Sequence, residues 1–260
     1  MDVSLFVTCL TDTFYPRIGI ALVKVLEHLG CRVAFPQEQT CCGQPLYNNG
    51  YHADARELAR RMIQVFEHSE YVVTPSGSCA AMVRDYYGEL LAADPAHRHG
   101  AKALTAKTYD FLEFLVKVLK VDLTELGIRW PGRVTYHFSC HLRGLDMDPM
   151  RSDTECMLKN VEGMDYTRLD KIDLCCGFGG TFAMKYPQIS GAMVKDKVDC
   201  IRKTGAQTVV SNDAGCTMNI SGSCRRQGLD VEFIHVAEVI AEGLGLMDSS
   251  KEQDSRNVST

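Results

Sequence analysis

The sequence predicts an α/β protein built from two duplicated βαβ-type domains, with mostly parallel sheets related by a pseudo-two-fold. Three observations predict it. Cysteine landmarks recur in the same order, valine-rich strand signals recur with them, and short apolar runs alternate with stretches of helical periodicity. Tyr-Val-Val-Thr-Pro-Ser-Gly-Ser-Cys (71–79) is answered by Thr-Val-Val-Ser-Asn-Asp-Ala-Gly-Cys (208–216), and Cys41-Cys42-Gly43 by Cys175-Cys176-Gly177. Phe6-Val7-Thr8-Cys9 is answered by Phe138-Ser139-Cys140. The gaps are 32 (9 to 41) and 37 (42 to 79) in the first copy, and 35 (140 to 175) and 40 (176 to 216) in the second.

In the first copy, Val3–Thr8, Arg32–Phe35 and Tyr71–Thr74 read as strands, rich in Val and Phe and closed by Pro, Gly or Cys. Residues 17–29 read as a helix with Ile18, Ala21, Leu22, Val25, Leu26 and Leu29 on one face, and 53–68 repeats that pattern. The second copy offers strands at 133–138, 207–211 and 231–234, with helices at 181–204 and 235–243. Residues 110–120 read as one more amphipathic helix. The breakers Gly127 and Trp130-Pro131-Gly132 place the junction, giving domains at 1–100 and 133–247 joined by a helical connector over 101–132. Residues 248–260 are polar with a single valine and read as a disordered tail.

A chain of 260 residues, 45% hydrophobic and 23% charged, can bury its own core, so its 12 cysteines are not needed as staples. A net charge of −5 gives no electrostatic case for nucleic acid. No apolar run approaches the ~18–20 residues of a membrane span. The start, Met-Asp-Val-Ser-Leu, lacks the features of a secretory signal, so a cytoplasmic location is expected.

The predicted topology puts Cys9, Cys41, Cys42 and Cys79 just after strands, where loops from separated strands of a parallel sheet converge. Cys140, Cys175, Cys176 and Cys216 do the same in the second copy. Four converging thiolates demand a cation or a cluster: an iron–sulfur cluster or tetrahedral zinc. Adjacent Cys-Cys pairs suit a cluster better than the C-x₂₋₄-C knuckles of structural zinc, and thiol chemistry is the third option. Gly43, Gly177, Gly179 and Gly180 let backbone N–H groups approach the sulfurs. Cys31, Cys156, Cys200 and Cys224 have no counterpart in the other copy and read as small hydrophobes.

Cys-Cys-Gly-Gln-Pro (41–45) and Cys-Cys-Gly-Phe-Gly-Gly (175–180), each with a preceding and a following lone Cys, resemble the motifs of the CCG-domain iron–sulfur family. That family includes the disulfide-cleaving component of heterodisulfide reductase and the iron–sulfur subunits of glycolate oxidase and anaerobic glycerol-3-phosphate dehydrogenase. The resemblance covers about residues 1–245, and Cys41–Gly50, Ser76–Met82 and Ser139–Arg143 look most like its lactate-utilisation branch. It implies one or two clusters, [4Fe–4S] in type, with zinc as the lesser alternative in one copy. It further implies a subunit of a complex oxidising L-lactate to pyruvate, beside a ferredoxin-like iron–sulfur protein and a third small subunit. A thiol-disulfide reductase and a zinc-stabilised scaffold are the competing readings. The sequence shows no dinucleotide or flavin motif.

In heterodisulfide reductase a fifth cysteine closes each motif. Here those positions are Met82 and Asn219, which leaves four thiolates per copy, the number an ordinary cubane requires. His141 and Arg143 beside Cys140 are expected to raise a cluster's potential or hold a carboxylate, whereas His137 reads as a satisfied strand-end histidine. Tyr47, Asn48 and Asn49 read as a turn ahead of the next helix.

Overall fold

The computed structural model describes residues 1–145 and 152–249. Strand β1 (Asp2–Leu5) lies between β2 (Arg32–Ala34) and β3 (Tyr71–Thr74), and β4 (Thr108–Asp110) completes a parallel sheet in the order β2-β1-β3-β4. Strands β5 (Arg129–His137), β6 (Glu162–Tyr166), β7 (Thr208–Ser211) and β8 (Glu232–His235) form a second parallel sheet, ordered β6-β5-β7-β8. The two orders coincide when each strand is matched to the one four places later, so the duplication seen in the cysteines extends to the topology.

Alternation along the strands sorts side chains between two kinds of core. Val3 and Leu5 of β1 and Val134 and Tyr136 of β5 face one shared core, which also takes Leu22 and Leu26 from helix Pro16–His28 and Val239 and Ile240 from helix Val236–Gly243. Each such buried aliphatic side chain stabilises the fold by about 1.5–3 kcal/mol. Arg17 reinforces the contact between copies with ion pairs to Glu238 (3.3 Å) and Glu242 (2.9 Å). The opposite sheet faces have separate cores. One holds Phe6, Met62, Phe66 and Val72 of the first copy, and the other holds Val194, Val198, Ile201 and Val209 of the second.

The expected α/β duplication is present, and several boundaries move. The first strand stops at Leu5, because Cys9 already opens the helix Cys9–Phe14. The helix expected over 181–204 is two, Phe182–Lys185 and Pro187–Thr204, since a proline without an N–H starts a helix but cannot continue one. Residues 101–132, expected as a helical connector, contribute β4 to the first sheet and the opening residues of β5 to the second. Helical residues within Phe111–Val118 follow β4 as Val236–Gly243 follows β8. Of the expected tail, residues 250–260 lie outside the described residues, and the Asp248 carbonyl accepts a hydrogen bond from Arg17.

Candidate metal centre

Three neighbouring strands of each sheet deliver cysteines at their carboxyl ends. Cys9 follows β1, Cys41 and Cys42 follow β2, and Cys79 sits in the helix Gly77–Ala81 after β3. Cys140 opens the turn Cys140–Leu145 after β5, Cys175 and Cys176 follow β6, and Cys216 lies in the first turn of helix Ala214–Arg226 after β7. All eight line a single cavity of about 480 Å³ between the two copies. Sequence reasoning expects four cysteines at each of two sheet edges; the fold turns both edges toward the same space.

Within the first copy, the Sγ atoms of Cys9 and Cys41 lie 3.9 Å apart and those of Cys42 and Cys79 lie 3.2 Å apart. The second copy repeats the arrangement, with 4.0 Å for Cys140–Cys175 and 3.2 Å for Cys176–Cys216. Hydrogen bonds from Cys42 and Cys9, then the Gly43 N–H, hold the Cys41 thiol well below its ordinary pKa. Hydrogen bonds from Cys140 and Cys176, then the Gly177 N–H at 3.4 Å, do the same for Cys175. Their donors Cys9, Cys42, Cys140 and Cys176 are pushed up by those same sulfur contacts and by burial. Each copy thus favours one thiolate that accepts hydrogen bonds from neighbouring thiols.

The glycine after each Cys-Cys pair is required by the backbone. Gly43 has φ +86° and Gly177 φ +80°, and a Cβ on Gly177 would sit 2.9 Å from the Ser190 carbonyl oxygen. Gly179, with φ +52°, also lines the cavity.

Other expected residues divide. His141 lines the cavity, its Nδ1 3.7 Å from Cys140 Sγ and its Nε2 3.4 Å from Gln44 Nε2 of the first copy. Arg143 is not among the cavity-lining residues. It is exposed and ties its turn to Asp173, through the backbone carbonyl and a 3.8 Å ion pair. The guanidinium that does line the cavity belongs to Arg226. The sequence carries a signal for it: Cys216, Asn219, Gly222 and Arg226 recur at helical spacing along one face, and all line the cavity.

Met82 is fully buried in the first copy's apolar core, while Asn219 donates to the Cys176 carbonyl oxygen at 2.8 Å. Asn48 lines the cavity, and the Asn49 side chain bridges the copies to Thr181. Cys31, Cys200 and Cys224 are buried in apolar cores, Cys156 is exposed, and none of the four lines the cavity. Met184, 82% exposed, provides apolar surface at the cavity wall, with exposed Tyr186 and Ile189 nearby in the chain.

His137 departs furthest from expectation. It is fully buried, and neither ring nitrogen has a hydrogen-bond partner among the described residues. Burial pushes its pKa down to about 3, so the ring is neutral. A ring nitrogen and the Sγ atoms of Cys176 and Cys216 all lie within 4.8 Å of one another.

The donor set fits a soft metal centre. Grouped sulfurs, backbone N–H groups directed at Cys41, Cys175 and Cys176, and an orphaned imidazole leave buried polar atoms that a bound metal would satisfy.

The cysteine-rich CCG domain family matches this chain twice, over residues 3–84 and 134–221, and both matches contain the sulfur groups described above. The chain belongs to the CCG cysteine-rich domain family. Among its CCG relatives, lactate utilization protein A of an Exiguobacterium species is 47% identical over 248 residues, covering 94% of this chain and 98% of that protein. Lactate utilization protein A of Halalkalibacterium halodurans is 47% identical over 240 residues, covering 92% and 96%. A solved structure of a hypothetical Helicobacter pylori protein matches 96% of this CCG chain and 50% of its own, with a TM-score of 0.61 and 8% identity, a likeness of fold alone.

Proposed function

We propose that this chain serves lactate utilisation as the iron–sulfur electron-transfer subunit of a system oxidising L-lactate to pyruvate. The observation that carries the reading is the convergence of all eight paired cysteines on one cavity. The similarity to lactate utilization protein A over nearly the whole of both chains supports the lactate role.

In this reading Cys9, Cys41, Cys42 and Cys79 hold one cluster, and Cys140, Cys175, Cys176 and Cys216 hold a second. A bound [4Fe–4S] centre supplies one-electron transfer at a potential set by its surroundings. The chain's own part is to supply thiolates, of which Cys41 and Cys175 are already poised, and to aim Gly43 and Gly177 N–H groups at sulfur. His141 and Arg226 give the cavity wall basic groups suited to a carboxylate. A ferredoxin-like iron–sulfur protein and a third small subunit complete the system, docking over the cavity where Met184 is exposed. Among the described residues no helix is long and apolar enough to cross a membrane.

Zinc in one copy is the second reading, supported by a spacing that both copies share. Two sulfurs on one tetrahedral zinc lie about 3.8 Å apart, close to the 3.9 and 4.0 Å of Cys9–Cys41 and Cys140–Cys175.

The test is lactate-dependent reduction of the reconstituted protein under anoxic conditions, with and without the two partner proteins. Reduction that requires both partners supports the subunit role. Lactate oxidation by this chain alone at the full rate of the complex contradicts it.

A further inference from the structure

The two copies differ at a strand position that faces the sulfurs. Three residues before the lone cysteine of each copy stands Phe6 in the first and His137 in the second. Strand alternation places the two alike. Leu5 and Tyr136 point into the shared core, so Phe6 and His137 lie on the opposite faces, toward their own cysteines. In the first copy this yields an apolar surround in which Phe6 packs with Cys42, Cys79 and Met62.

A second difference accompanies it. The Cβ position of Gly43 approaches Ala55 and Leu58, and that of Gly177 approaches Ser190 and Met193, an offset of 135 in both cases (190 − 55 and 193 − 58). The same offset matches Met62 of the first copy with Lys197 of the second. Lys197 is fully buried, and its ammonium donates to the Lys171 and Ile172 carbonyls in the segment leading to Cys175. Two apolar residues around the first sulfur group are thus an imidazole and an ammonium around the second.

The Lys197 ammonium has two carbonyl acceptors, whereas both ring nitrogens of His137 are buried without a partner among the described residues. Leaving them so is unfavourable unless something else satisfies them. We propose that His137 is a nitrogen ligand of the metal centre held by the second copy, joining Cys176 and Cys216 in a mixed imidazole–thiolate set that the first copy cannot form, so that the imidazole takes the fourth ligand position and one of Cys140 and Cys175 is left outside the centre. The inference rests on the metal-centre reading above but not on which metal is bound. Imidazole serves both iron and zinc. The buried Lys197 ammonium offsets part of the remaining thiolate charge and fixes the segment that carries Cys175.

The test uses the full chain reconstituted with iron and sulfide, reduced, and studied by pulsed EPR with natural-abundance and ¹⁵N-histidine-labelled protein. A nitrogen coupling of directly bound imidazole is expected, altered by the label, lost in His137→Phe and retained in His141→Gln. His137→Phe installs the residue that the first copy already accommodates, and the labelled wild type gives the answer even where that variant does not fold. Iron-loaded wild type without a directly bound nitrogen overturns the proposal, as does a signal lost only in His141→Gln. A chain that takes up no iron contradicts the iron–sulfur reading instead. His137 is then judged with Co(II): wild-type absorption of a mixed nitrogen–sulfur site, converted to a thiolate-only spectrum in His137→Phe, supports it, and identical spectra overturn it.

Discussion

The carboxylate of Asp213 accepts hydrogen bonds from the Ser76 hydroxyl at 2.9 Å and the Ser78 hydroxyl at 2.7 Å, joining the two copies beside their cysteines. Ser76 and Asp213 each stand three residues before a paired cysteine and each caps its helix. Ser76 accepts from the Cys79 N–H, and Asp213 from those of Gly215 and Cys216. One contact therefore sets the placement of Cys79 and Cys216 together.

Replacing Asp213 by Ala removes a helix cap and strips the buried Ser76 hydroxyl and the half-buried Ser78 hydroxyl of their acceptor. A loss of about 2–4 kcal/mol is expected in urea unfolding of the metal-free protein. Asp213→Asn keeps an acceptor and is expected to cost about 1 kcal/mol. Equal effects of the two would remove the interdomain role.

Metal content should follow the sulfur groups and ignore the other thiols. Cys42→Ala or Cys176→Ala is expected to lose the metal of its own copy, read by elemental analysis. Cys31→Ala and Cys200→Ala, in apolar cores away from the cavity, should retain full content. Full iron in a Cys42/Cys176 double variant would contradict the ligand assignment.

In metal-free protein, Cys41 and Cys175 carry thiolate where their neighbours hold protons. Iodoacetamide at pH 6 should modify these two ahead of buried Cys42 and Cys176, as mapped by peptide mass spectrometry. Labelling should disappear once metal is loaded. An even distribution over the eight would count against the proton arrangement.

His235 links the copies from the far end of β8. Its Nδ1 accepts from the Ala237 N–H, so its Nε2–H donates to the Pro75 carbonyl at 3.1 Å. Burial lowers its pKa from 6.5 to about 4, so between those values the unfolded chain binds more protons than the folded one. Its contribution is complete above pH 6.5 and falls as pH drops toward 4, by roughly 3 kcal/mol across the window. Unfolding free energies of wild type and His235→Asn should converge on acidification. A constant difference would mean that the ring is not held neutral.

Much of this is legible in the sequence because the signals are covalent or periodic. Duplicated cysteines mark the two copies, and apolar periodicity marks the helices near Ile18–Leu26 and Ala55–Ile63. Strand β6, Glu-Gly-Met-Asp-Tyr, leaves no such mark because it is an edge strand whose polar residues carry little strand propensity. Strand β4 has only three residues. Opposition of the two cysteine edges across one cavity depends on how the copies pack through their shared core, which no local pattern reports. His137 reads as satisfied because a histidine closing a strand usually finds a partner. Its isolation follows from full burial on β5, a strand flanked on both sides, which keeps the ring from solvent.

The most direct test is the iron and acid-labile sulfide content of protein purified without oxygen. Two loaded copies predict brown protein with about eight iron and eight sulfide per chain, and one loaded copy about four of each. Colourless protein carrying zinc and no sulfide would contradict the account.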